Sequence, residues 1–467
     1  MGGREEGADL TGKKNTYNMR LTIKEREESM ATGKALDGKP YAGNPHVRFD
    51  EGEVAPATTP RRGSLLYKTR KMVLVGGAVA LSSLNALAAR QGPWTKERAW
   101  EWYDAQPWIR GCNYMPASAA NRVDQWQALG AEERFAEMDR ELAVAEEIGF
   151  NAMRVAVELQ GFGVWLAEHD TFMANFERAL SILAKHRMRA IVILGNDCMR
   201  PKRIWQLPKP GPQPCDLGYH GGRKMSQHGS FPGEMGHSPV DDPELKPKFY
   251  AMCEELMVKY RADDRILFWN LWNEPGNSYR EKASVEPLRE MFELAWRIDP
   301  VQPLAADLWK GDYGTSPKEN PAQFLAGELS DIVSYHCYEN FEKHVRLIAK
   351  LKRHFGRPLV NTEWLARTFH CDVFDNYPLF YLEKIGTLNW GLVNGRYQTH
   401  EPWEMTWRKI ERDPKLAETI DVTKWFHDLL RPSLRPYDPK EIALIRRFNK
   451  QADADFAEAR AETPKQK

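Results

Sequence analysis

The sequence predicts an α/β fold, a (β/α)8 TIM barrel with a long loop after its third strand. Short runs nearly continuous in apolar residues alternate with longer amphipathic stretches, and the alternation repeats eight times between about residues 108 and 430. Strands buried on both faces read this way, and regular strand–helix alternation implies a parallel sheet. The extent fits a barrel of roughly 250 residues plus insertions. A doubly wound open sheet is the rival, but it usually carries a Gly-rich first turn, and no GxGxxG follows WIRGCNYMP.

The elements take their places in order. Residues 1–64 are rich in Gly, Lys, Glu and Thr without a sustained apolar period, so they read as a disordered extension or as sequence ahead of the true start. Residues 65–89 follow a secretory signal: Lys68, Arg70 and Lys71, an apolar run from 72 to 84, then Ala86-Leu87-Ala88. That run is short for a bilayer span, so export to the periplasm or beyond is expected, without stable membrane insertion. Such a signal normally opens a chain, which puts the expected translation start between about Leu65 and Met72.

The barrel domain is expected over 90–432. Its strand runs are 108–115, 151–159, 189–197, 265–274, 303–309, 332–339, 358–366 and 386–395. Helical patterns such as FMANFERALSILAKHRM and VEPLREMFELAWRI lie between them. The third run is followed by a Pro-, Gly- and His-rich stretch to about residue 242 with no helical period, a length that usually signals function or disorder. Residues 433–467 read as a charged tail, a fraying surface helix without a partner pattern.

Composition narrows the function. The 467 residues hold 66 Lys and Arg against 65 Asp and Glu, a formal charge of +1, which gives no reason to expect nucleic acid or an anionic membrane as partner. Sixteen tryptophans offer flat faces for stacking on sugar rings. The six cysteines form no CxxC pair; Cys198 and Cys215 could close a disulfide across the long loop, and free thiols fit equally. His220, His228 and His237 share that loop but follow no ligand spacing, so neither a metal nor an organic cofactor is expected. Oligomeric state is left open.

In a barrel the strands' C-terminal ends carry the site. The fourth run, ILFWNLWNEPGNS, ends in Asn273-Glu274-Pro275, and the seventh ends in Asn361-Thr362-Glu363-Trp364. The two glutamates stand about 90 residues apart, close to three βα units of roughly 30 residues each, which sets them facing across the barrel mouth. One carboxyl to protonate a leaving oxygen and one carboxylate to attack an anomeric carbon is what glycoside hydrolysis needs. Arg154, a charge inside an apolar run, needs an acidic partner if it points inward; the alternative is an outward position on a helix Glu. Tyr338 could donate to the ionised glutamate. Pro275 is expected to hold Glu274 extended.

On these motifs the chain resembles glycoside hydrolase clan A, nearest the cellulase-like family 5, over about 108–400. The resemblance implies an acid/base at Glu274 and a nucleophile at Glu363. It also matches Arg154, the His336-Cys337-Tyr338 motif and Trp390 to family positions, with Asn273 on a sugar 2-hydroxyl and Trp390 flooring the reacting ring. Family members often carry a His pair after strand three, where this chain has Gly195-Asn196-Asp197-Cys198. Asp197 either takes over that sugar contact or caps the loop, and Asn113 could line the cleft.

The expected protein is thus a retaining β-glycoside hydrolase on a carbohydrate substrate, with the carboxyls about 5 to 5.5 Å apart. An endo-glycanase of the cellulase, mannanase or xylanase type competes with an exo-glycosidase, and the fold of the long loop decides between them. A non-catalytic sugar-binding barrel is the rival from another class. Trp165, Trp205, Trp309, Trp364 and Trp403 are expected to send two or three rings into the cleft; Glu158 and Asp307 could bind sugar hydroxyls, with rim salt bridges the expected role for each.

Overall fold

A computed structural model of the protein describes residues 90–215 and 233–462. The extension, the signal-like segment, His220 and His228 lie outside the described residues. Helix α1 (Lys96–Asp104) precedes β1 (Arg110–Asn113). A short α2 (Arg122–Trp126) and α3 (Ala131–Ile148) lead to β2 (Ala152–Ala156). Helices α4 (Glu158–Ala167) and α5 (His169–Lys185) precede β3 (Arg189–Asn196). After the long loop come α6 (Lys246–Lys259), β4 (Ile266–Asn273), α7 (Val285–Ile298) and β5 (Leu304–Ala306). Next are α8 (Pro321–Leu329), β6 (Val333–His336), α9 (Phe341–Phe355) and β7 (Leu359–Trp364). Then follow α10 (Val373–Leu382), β8 (Gly386–Trp390), α11 (Glu404–Arg412) and α12 (Pro439–Glu462).

Each of the eight apolar runs supplies one strand, and the order β5-β4-β3-β2-β1-β8-β7-β6 is parallel throughout. The remaining seam closes through a parallel bridge between Leu308 and Tyr335. There the Leu308 N–H donates to Ser334 O (3.0 Å) and the His336 N–H to Leu308 O (2.8 Å). The result is the (β/α)8 barrel that the alternation predicts.

The helices bury one stripe each. In α5 the buried Phe172, Met173, Phe176, Ala179, Leu180 and Leu183 recur at helical spacing. Inside the barrel, Ile109, Ala152, Ile191, Phe268, Ala305, Ile332, Val360 and Leu388 form a buried apolar cluster with Tyr103 of α1. The Tyr103 hydroxyl donates to Lys384 O at 3.0 Å. Helix α1 therefore stoppers the end where the strands begin, and the opposite mouth carries the polar side chains.

The C-terminal tail departs from its expectation. Helix α12 buries Glu441, Ile442, Ile445, Asn449 and Ala452 along one stripe. Glu441 pairs with the buried Arg367 at 2.6 Å, and Asp453 pairs with Arg110 at 2.6 Å. Asn449 accepts from the Tyr377 hydroxyl (2.6 Å) and donates to Ile148 O (2.9 Å), which ties α12 to α10 and α3. Two of these five residues are polar, so apolar periodicity alone does not reveal the stripe. Among the described residues no helix is long and apolar enough to cross a membrane.

Candidate active site

Strand ends bring the two glutamates together. Glu274 follows the last residue of β4, and Glu363 lies in β7 with its side chain 7% exposed. One oxygen of each and one ring nitrogen of His336 all fall within 4.8 Å of one another. Glu274 is not extended: its φ is +47°. A turn wins over the proline's preference, because the Asn277 N–H closes onto Glu274 O at 3.0 Å. Left-handed φ at a non-glycine residue stores strain that functional sites commonly tolerate.

Arg154 points inward from β2 and is the hub of the site. Its Nη1 donates to Glu363 Oε1 (2.6 Å) and Asn113 Oδ1 (2.7 Å). Its Nη2 donates to Asn273 Oδ1 (2.6 Å), Asn270 Oδ1 (2.7 Å) and Asp307 Oδ2 (2.8 Å). The Arg154 and Asp307 side chains are fully buried, so the charge is matched by carboxylates where water cannot reach it. Asp307 is thus the floor of the site and not a rim residue. Burial opposes its charge, but Arg154 and His336 hold it well below the usual carboxylate range.

Tyr338 donates its hydroxyl to Glu363 Oε2 at 2.7 Å. The Nδ1 of His336 lies 2.7 Å from Glu274 Oε1 and 3.4 Å from Glu363 Oε2. Burial works against a charge on His336, yet Glu363, Asp307 and Glu274 push it up to about 10. Burial also opposes the charge on Glu274, but the His336 imidazolium draws that carboxyl below its ordinary value. Burial and the charge of Glu274 lift Glu363 against the pull of His336 and Arg154. The raised His336 thus favours a proton on its ring, one hydrogen bond from Glu274.

Other expected residues divide. Trp390 and Asn273 line a cleft of about 1270 Å³ with both glutamates, His336 and Tyr338. Asn113 spends its amide on Thr362 O (2.7 Å) and Asn389 O (3.3 Å); it positions Arg154 and lines the small cavity behind Trp390 rather than the cleft itself. Asp197 is fully buried and takes no sugar contact: Oδ2 accepts from Gly276 N (2.6 Å) and Oδ1 from Arg280 (3.0 Å). It is the loop-capping alternative that holds. Of the tryptophans, Trp309 and Trp403 line the cleft. Trp364 is buried, Trp165 packs on Phe162, and Trp205 packs on His237.

Three more residues, Cys198, Glu158 and Arg122, also reach the site. Cys198 and Cys215 form no disulfide; instead the Cys198 thiol donates to Glu274 Oε2 at 3.1 Å. It accepts from Asn277 Nδ2 at 3.2 Å. Glu158, at the end of β2, pairs with Arg122 at 3.3 Å, and both face the cleft. The signal for Cys198 and Glu158 is placement directly after a strand, the same that marks Glu274.

The described part of the long loop, to residue 215, is tied to the segments that follow β1 and β8. Gln213 accepts from Asn121 (2.9 Å), the Gly211 N–H donates to Gln127 (2.6 Å), and Arg396 donates to Gln213 O (2.8 Å). Behind Arg122, Ala156, Ile193 and Trp390 the cleft gives way to a cavity of about 40 Å³.

No family model matches the chain, and no curated protein matches it by sequence. Among solved structures it is similar to an exo-β-1,4-mannosidase from Opitutaceae bacterium strain TAV5, at 14% identity and a TM-score of 0.47 over 74% of this chain and 60% of that one. A GH5_18 protein from Streptomyces cattleya in complex with Manβ1-4GlcNAc aligns at 12% identity and a TM-score of 0.48, covering 76% and 82% of the two chains. A glycoside hydrolase family 5 mannosidase from Rhizomucor miehei aligns at 15% identity and a TM-score of 0.46, covering 75% and 94%. This chain thus spans less than two thirds of the length of the first of these.

Proposed function

We propose that the protein is a retaining β-glycosidase that works by double displacement from one end of its substrate. The observation that carries this is the facing pair, with an oxygen of Glu274 and one of Glu363 within 4.8 Å. Retaining pairs stand about 5 to 5.5 Å apart, whereas inverting pairs need about 6.5 to 9.5 Å to admit a water. The strand-end motifs that resemble family 5 support the same reading.

In the first step a Glu363 oxygen attacks the anomeric carbon, and the bond to the leaving oxygen breaks as Glu274 delivers a proton to it. In the second step Glu274 takes a proton from water, the water oxygen bonds to the anomeric carbon, and the ester to Glu363 breaks. Arg154 and Tyr338 donate to Glu363 in the geometry that favours its ionised form. The proton for the leaving group is at hand: moving it along the 2.7 Å bond from His336 to Glu274 turns Glu274 into the acid and leaves a neutral imidazole. That move also reverses the ordering of the two carboxyls. No step calls for a metal or an organic cofactor.

The small cavity behind Trp390 supports exo action over the endo alternative. A cavity of about 40 Å³ holds little more than one water, whose share of liquid volume is about 30 Å³, so no further sugar fits beyond the ring over Trp390. The same reading takes the protein as exported, on the pattern of residues 65–89.

A screen of aryl β-glycosides and β-linked oligosaccharides, with Glu363→Ala as control, tests the proposal. Monosaccharide release with retention, lost in Glu363→Ala, is the expected result. Sugar binding without turnover would favour a non-catalytic barrel, and mixed oligosaccharide products would favour endo action.

A further inference from the structure

Resting on the glycosidase reading, we propose that Glu158 and Arg122 read the 3- and 4-hydroxyls of the terminal sugar, so that the enzyme takes a neutral pyranose unsubstituted at both positions. Three observations converge. Glu158 is a carboxylate 3% exposed, yet it lines the cleft beside Arg122, which also faces the small cavity behind. Its φ of +41° is a strained backbone at the first residue of α4. Arg122 is likewise buried, its guanidinium 4.7 Å from the Tyr397 ring centre, and it faces both the cleft and the small cavity behind.

The chemistry of this corner suits hydroxyls. Glu158 Oε1 meets Arg122 Nε at 3.3 Å, and Oε2 accepts from the amide of Asn196. A carboxylate has about four lone-pair sites, so two remain for a vicinal pair of hydroxyls. Asn196 Oδ1 in turn accepts from Asn273 Nδ2 at 2.9 Å. The chain Glu158–Asn196–Asn273 runs along one edge of the cleft to the end of β4. With the anomeric carbon at Glu274 and Glu363, Asn273 stands beside it and Glu158 one hydrogen-bonded residue further along, so the hydroxyls farther round the ring fall to Glu158. A charge already balanced by Arg122 leaves no surplus for a cationic or anionic sugar. A salt bridge that merely tied α2 to α4 would not need to stand in the cleft on a strained residue.

The test compares the best aryl β-glycoside with its 3-deoxy and 4-deoxy analogues, on the full-length protein. Wild-type kcat/KM is expected to favour the parent by about 10- to 100-fold over each analogue, the usual size for a hydrogen bond to a charged group. In Glu158→Ala this preference is expected to collapse to about twofold or less; in the near-isosteric Glu158→Gln, should the alanine variant fold poorly, it is expected to shrink to a few-fold, the size of a neutral hydrogen bond. A purely structural Glu158 would lower activity on parent and analogues alike, and that outcome overturns the proposal. So does a wild-type enzyme that accepts the deoxy sugars equally well, a result that needs no variant. A wild type inert on every glycoside would instead overturn the glycosidase reading itself.

Discussion

The ring of His336 stands 2.7 Å from the carboxyl of Glu274, both in the same buried cluster as Glu363. Because the surrounding carboxylates raise His336 from its ordinary 6.5 to about 10, the folded protein binds a proton there that the unfolded chain releases between these values. The stabilisation is therefore fully present below about pH 6.5 and is lost as pH rises through about 10. Thermal unfolding is expected to occur at falling temperature from pH 7 to 10, and His336→Asn is expected to flatten that slope. A wild-type melting temperature that climbs over this range would contradict the protonated ring.

Cys198 offers a finer test of the proton on Glu274. The thiol donates to Oε2 and so favours the ionised carboxylate, along with the donors His336 and Asn277. Cys198→Ala removes that donor, raises the Glu274 pKa, and should move the alkaline limb of kcat/KM to higher pH. Cys198→Ser keeps a donor, and its limb should stay near the wild-type position. Identical profiles for all three proteins would show that the thiol only fills space.

Arg154 joins stability to chemistry. With the side chain fully buried against Asp307 and Glu363, Arg154→Ala leaves these two carboxylates with His336 as their one nearby cation. Urea unfolding is expected to show a loss of about 3 to 5 kcal/mol. Arg154→Lys keeps the charge but cannot span five oxygen acceptors, so it should recover part of the stability and little of the activity. An alanine variant as stable as wild type would show that the network holds its geometry without the arginine.

How far the sequence shows these features follows from their range. Strands with an apolar side on both faces announce themselves, and Glu274, Glu363, Arg154, His336 and Tyr338 are visible because each sits in or directly after such a run. The fate of Asp197 is not local. Its partner Arg280 stands across a turn that only the folded chain brings to it. The backbone of Glu274 is a contest between Pro275 and the hydrogen bond from Asn277, and the proline is the only half of it written next to the residue. Glu158 looks like a helix-start acid until the folded chain sets it beside Arg122 and Asn196 in the cleft.

The C-terminal helix is the clearest case of a long-range partner, and it gives the last prediction. Helix α12 supplies Glu441 to the buried Arg367 and packs Ile442 and Ile445 into the main core cluster. Arg367 lies just beyond β7, so the helix braces the strand that carries Glu363. Removing residues 439–467 strips a buried cation of its carboxylate and exposes the core under the stripe. One such broken pair costs about 3 to 5 kcal/mol, a large share of a typical total of about 5 to 15 kcal/mol. The truncated chain is therefore expected to be insoluble or unfolded by circular dichroism. Glu441→Gln, a milder change, should lower the urea midpoint while leaving the slope of the transition unchanged. A soluble truncated protein with full activity would restore the helix to the status of a loose tail.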